Sequence, residues 1–117
     1  LSRQKVRYVR ALAESKINFK SLQSMTSEEV INTLTQVSGI GVWTAEIYTM
    51  FSLARADVFA AGDLALQESV RLLFELHERP SEREIRRMAE RWSPWRAVAA
   101  RLLWAYYSYS KKREGVR

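Results

Sequence analysis

The residues whose types and spacing could do chemistry begin at Ser38-Gly39-Ile40-Gly41, a short run between two apolar stripes of helical period. Glycines in so tight a turn permit positive φ or close backbone approach, and a helix starting just after them offers main-chain N–H groups to a phosphate. A Cβ at such a glycine would stand between the phosphate and the amides. The same glycines can also serve only as a helix C-cap and a tight corner between helices. Further on, Asp63 stands where a side-chain oxygen can cap a helix. Arg83, Arg86, Arg87, Arg91, Arg96 and Arg101, with Lys111-Lys112-Arg113 behind them, can together track phosphates, although any single one reads as a solvated helix face. The inventory excludes other chemistry. With no cysteine, this chain supplies no disulfide, thiol nucleophile, Cys-ligated zinc or iron–sulfur cluster. The single histidine, His77, cannot build a multi-His metal site.

These residues need elements to position them, and the pattern offers helices only. Ser2 can cap a helix with Val6, Val9 and Ala13 at helical spacing, ending near Asn18. Thr26-Ser27-Glu28-Glu29 predicts a capping box, followed by a buried stripe of Val30, Leu34 and Val37. The stripe resumes after the glycine turn at Trp43, Ile47, Met50, Phe51 and Ala54. Asp63 then heads a helix carrying Leu66, Val70, Leu73 and Phe74, and His77 continues that line as a core or edge histidine. Ser81-Glu82-Arg83-Glu84 predicts a second capping box and a short helix to Trp92. Ser93-Pro94 supplies a cap and a first-turn proline for a last helix to about Tyr109, with Trp92 and Trp95 locking the final two helices together. No stretch alternates apolar and polar residues as a strand would. The expected class is all-α with short connections, and the segment from Leu34 to Ala45 is a helix–hairpin–helix pattern.

A chain of 117 residues allows one domain with a core and little room for a second. Hydrophobic residues at 47% and charged residues at 27% fit a packed globular fold rather than disorder. The formal net charge of +6 points to polyanionic partners, nucleic acid first. No run long and apolar enough for a membrane span is present, and no secretory leader opens the chain, so no membrane partner is expected. Because the chain opens on Leu1 rather than Met, directly on a helix-start pattern, a fragment is expected.

The run Leu34-Thr35-Gln36-Val37-Ser38-Gly39-Ile40-Gly41-Val42-Trp43-Thr44-Ala45 resembles the hairpin of the helix–hairpin–helix DNA glycosylases, and more closely the DNA-3-methyladenine glycosylase II branch. The resemblance continues through Asp57-Val58-Phe59 to Gly62-Asp63, and again from Ala89-Glu90-Arg91-Trp92-Ser93-Pro94-Trp95-Arg96 to Trp104. It implies the C-terminal part of that family's catalytic unit, with the N-terminal helices of the full unit absent and residues 1–117 as one helical domain fragment. It implies that Asp63, 22 positions after Gly41, is catalytic, and that Asp57 lies too early for that role. Cleaving a base from deoxyribose develops positive charge on the sugar, which an ionised Asp stabilises while it orients water. Trp43 resembles the position where bifunctional relatives carry lysine. An indole forms no Schiff base, so a monofunctional reaction leaving an abasic site is implied.

By the same resemblance, Trp43 and Trp104 line the pocket for a flipped alkylated base, whose positive charge favours an indole face. Gly39, Ile40, Gly41 and Thr44 hold DNA phosphate. The backbone carbonyls of Thr35, Val37 and Ile40 hold a monovalent cation, Na+ or K+, with no other cofactor. Ile47 and Leu64 stand where the family often has Tyr, which bears on substrate range. The implied partner is double-stranded DNA with a flipped damaged base, met by a monomer in the bacterial cytoplasm and nucleoid or in a eukaryotic nucleus. Two function classes stand. The first is a base-excision glycosylase for 3-methyladenine-like bases, carried by Asp63, Trp43 and the hairpin in order. The second is a noncatalytic helix–hairpin–helix DNA-binding module, for which Gly39, Gly41 and the basic surface suffice.

Overall fold

A computed structural model describes residues 3–115. Ser2, the expected cap of the first helix, lies outside the described residues, as does the side chain of Val9. The elements are α1 (Arg3–Glu14), α2 (Ser27–Leu34), α3 (Val42–Phe51), α4 (Leu64–Leu73), α5 (Glu82–Ala89) and α6 (Arg96–Gly115). Short 3₁₀ turns span Ser21–Ser24 and Glu90–Trp92, and no strand occurs among the described residues. This is the all-α class the periodicity predicts. The chain divides into two compact units, Leu1–Ala54 and Arg55–Arg117.

In the first unit, α2 starts where Thr26 accepts from the Glu29 amide at 3.1 Å while Glu29 accepts from the Thr26 amide at 2.8 Å, the predicted capping box. The reciprocal bonds satisfy two main-chain donors that the helix leaves open, worth about 1 kcal/mol. Leu22, Val30, Leu34 and Ala45 are buried together, with Ile17, Ile31, Ile40, Tyr48 and Leu53 packed against them. Ile40 therefore anchors the hairpin turn in the core that α2 and α3 share. Val6 and Ala13 of α1 are exposed, against their expected place on a buried stripe. Helical period fixes which residues share a face, and it does not oblige so sparse a face to be covered.

In the second unit, Leu66 and Val70 of α4, Ile85 and Ala89 of α5, and Ala97, Ala100 and Leu103 of α6 are buried with Val58, Phe59, Ala60 and Ala61. Truncating Leu66 to Ala would cost about 2–5 kcal/mol by the usual penalty for a buried leucine. The buried Ser69 hydroxyl donates to the Leu103 carbonyl at 2.8 Å, a polar tie from α4 to α6 inside that core. The Ser81 capping box starts α5, with bonds of 2.8 and 3.1 Å between Ser81 and Glu84.

The line from α4 stops at Leu73, Glu75 takes φ of 53°, and His77 is exposed rather than in the core. Leu73 and Phe74 are 47% and 45% exposed, so only the first two turns of α4 are buried by its apolar face. Trp95 is 61% exposed, leaving Trp92, whose ring lies 5.8 Å from that of Phe59, as the packed indole. The last helix starts at Arg96, because the Ser93 hydroxyl bonds the Asp57 carboxylate instead of capping its own helix, and it continues to Gly115.

Candidate active site and hairpin

The hairpin is closed by main-chain bonds. Val37 N–H donates to the Leu34 carbonyl at 3.1 Å and Ile40 N–H to the Val37 carbonyl at 3.0 Å. Gly39 sits at φ of 88°, the left-handed region that side chains with a Cβ rarely enter. Gly41 differs. Its φ of −88° suits any residue, and a Cβ built there would meet no atom of the chain within 4 Å. Nothing inside the protein requires glycine at that position, so a requirement would come from an approaching ligand. Gly41 is the N-cap of α3, no side chain caps that helix, and Val42, Trp43 and Thr44 of its first turn are exposed. First-turn amides of a helix have no intrahelical acceptor and carry the positive end of its dipole.

Around the turn, Thr35 bonds back through its hydroxyl to the Ile31 carbonyl at 2.9 Å, and Val37 is buried. Among the described residues no group of three or more His, Asp or Glu side chains gathers to hold a metal ion, so an ion at the hairpin would rest on main-chain oxygens. The Val37 carbonyl already accepts from Ile40, and a carbonyl has a second lone pair for a hard cation. The donor set fits such an ion.

In the second unit the structure brings two predicted residues together. Asp63 caps α4, accepting the Leu66 amide on Oδ2 at 3.0 Å. The indole Nε1–H of Trp104, from α6, donates to the same Oδ2 at 2.9 Å. A capping aspartate needs only the backbone donor, whereas a second donor from a distant helix fixes the carboxylate's direction. Main-chain bonds from Asp63 N–H to Ala60 and from Ala61 N–H to Phe59 fold the approach to the helix, and Gln67 Nε2 donates to the Ala61 carbonyl at 2.8 Å. Trp43 belongs to the first unit, where it is 46% exposed on α3. Leu64, next to Asp63, is 64% exposed.

Single-sequence reasoning missed the network around Asp57. Arg96 grips that carboxylate with Nε at 2.7 Å and Nη2 at 2.9 Å, and Ser93 Oγ donates at 2.7 Å. The Arg96 amide adds a longer bond of 3.4 Å, so Asp57 caps α6 from 39 positions away. The bidentate guanidinium above all, with help from Ser93, holds the Asp57 carboxyl down at about 2. Nothing in local spacing marks so remote a pair. Asp57-Val58-Phe59 and Trp95-Arg96 each carried the family resemblance, and that co-occurrence was the available signal.

No family model matches the chain. It is 34% identical over 108 residues to DNA-3-methyladenine glycosylase 1 of Schizosaccharomyces pombe, covering 88% of this chain and 47% of that protein. Against DNA-3-methyladenine glycosylase 2 of Escherichia coli it is 32% identical over 77 residues, 66% of this chain and 25% of that one. The chain thus spans about half or less of the length of these relatives. Among solved structures, the S. pombe 3-methyladenine DNA glycosylase in complex with abasic DNA superposes with a TM-score of 0.80 at 33% identity, covering 89% of this chain and 53% of that one. The 3-methyladenine DNA glycosylase of Archaeoglobus fulgidus gives 0.81 at 31% identity, covering 93% and 37%.

Proposed function

Because the chain is a homologue of the DNA-3-methyladenine glycosylases and shares their fold, we propose that it carries the catalytic carboxylate of a base-excision glycosylase for alkylated bases. The observation that carries this reading is the Asp63 carboxylate, fixed at the head of α4 by the Leu66 amide and the Trp104 indole. A carboxylate held this way needs little reorganisation when positive charge develops on the sugar, which is how a preorganised group lowers a barrier. It also accepts a hydrogen bond from the attacking water and orients it. The α3 sequence contains no lysine, so a Schiff base has no amine there and water is the nucleophile. The chain supplies part of a catalytic domain, with the hairpin at 34–45.

Trp104, beside Asp63, offers an aromatic face to the flipped base. Gly39, Ile40, Gly41 and Thr44 receive a DNA phosphate at the start of α3, and the open space at Gly41 supports that part. A monovalent cation on the carbonyls of Thr35, Val37 and Ile40 would stiffen the turn. The cellular site of action is wherever the genome lies.

The test is release of methylated bases from methylated duplex DNA by the protein that carries this chain. Free 3-methyladenine should appear while strands stay intact until alkali is added. Asp63→Asn should cut single-turnover release by roughly 10²–10³ while binding to the damaged duplex persists, the usual loss for one preorganised electrostatic group. The competing reading, a noncatalytic hairpin module, is favoured by the Gly41 geometry alone. It gains if Asp63→Asn keeps more than about a tenth of the rate.

A further inference from the structure

We propose that Asp57 and Arg96 are positioning residues for Asp63, setting the register of the connection before α4 against α6 so that Trp104 meets the carboxylate. This rests on the catalytic reading of Asp63 above. The connection is tied to α6 at both ends. At one end Ala97 N–H donates to the Ala56 carbonyl at 2.8 Å, and Arg96 and Ser93 hold Asp57. At the other end Trp104 holds Asp63. Arg96 and Trp104 are 8 residues apart on one helix, a rise of about 12 Å. The 6 residue steps from Asp57 to Asp63 could reach about 20 Å if extended. The connection therefore has slack, which the turn at Phe59–Asp63 takes up, and a tie at each end is needed to fix where the carboxylate stops. Arg96 suits that task because a fork–fork pair sets direction as well as distance, which a lysine cannot do. Removing the tie at Asp57 lets the N-terminal end of α6 shift against the connection, and Trp104 shifts with its helix.

The experiment uses Asp57→Asn and Arg96→Lys in the whole protein, assayed well below the melting temperature of each variant. Three quantities are read: single-turnover base release from methylated duplex DNA, Kd for that duplex, and the Trp104 indole N–H resonance, assigned by its loss in Trp104→Phe. A positioning role lowers the rate at least tenfold, keeps Kd within twofold and moves the Trp104 resonance in both variants. A staple that only adds stability leaves folded variants with more than a tenth of the wild-type rate, or loses rate with the Trp104 resonance unmoved, and either result overturns the proposal. If Asp57→Asn does not fold, Arg96→Lys alone decides by the same criteria. Asp63→Asn is the control. Full activity there sinks the catalytic reading itself, whereas its collapse beside an active Asp57→Asn sinks only the positioning role.

Discussion

Two aspartates 6 positions apart are held by different partners, and the partners decide what each can do. Asp57 is ion-paired bidentately with Arg96, its charge answered on the spot, and its carboxyl falls from 3.8 to about 2. A carboxyl depressed by folding contributes stability that is complete above its unfolded value and disappears as pH falls through the folded one. The melting-temperature gap between wild type and Asp57→Asn should therefore be constant from about pH 5 to 8 and close between about pH 4 and 2. A gap that widens on acidification would contradict the assigned pair. Glu68, held at about 2 chiefly by Arg71, acts in the same direction and is common to both proteins. Asp63 meets neutral donors instead, the Leu66 amide and the Trp104 indole. Asn keeps an acceptor for the cap, so Asp63→Asn should change stability by less than about 1 kcal/mol in thermal melts. The cap at Asp63 was legible because it reaches only to Leu66, whereas the Trp104 bond spans 41 positions and no local pattern encodes it.

At the scale of elements, the hairpin separates two reasons for glycine. Gly39 needs its left-handed φ, so Gly39→Ala should lower stability by about 1–2 kcal/mol in denaturant melts. Gly41 has ordinary φ and empty surroundings. Gly41→Val should therefore melt within about 1 kcal/mol of wild type yet weaken duplex binding at least tenfold, on damaged and undamaged DNA alike. Loss confined to damaged DNA would place Gly41 in base recognition instead. Helix starts at Thr26 and Ser81 could be read in advance because a capping box is written within four residues. The start of α6 could not, since its cap arrives from Asp57 and the nearby Ser93 is drawn into that same pair. The stop of α4 at Leu73 was equally hidden, since the apolar run continued past the point where the backbone turns at Glu75.

Over the whole molecule, the net charge of +6 would make the proposed duplex binding a counterion-release problem. Kd should rise at least tenfold between about 50 and 200 mM salt, the slope expected of two or more phosphate contacts, and a flat response would remove the phosphate-binding reading. Composition alone announced that charge, but the residues that tie helices together were silent in it. One of these ties reaches into the molecule's motions. Because the buried Ser69 hydroxyl joins α4 to the Leu103 carbonyl one residue before Trp104, α4 and the middle of α6 can open only by breaking a bond that neither re-forms alone in an apolar interior. In native-state hydrogen exchange, the amides of Leu66–Leu73 and those around Leu103 should share one opening free energy and one denaturant slope. Ser69→Ala should divide them into two isotherms, so a single unchanged isotherm in that variant would show that packing alone couples the two helices.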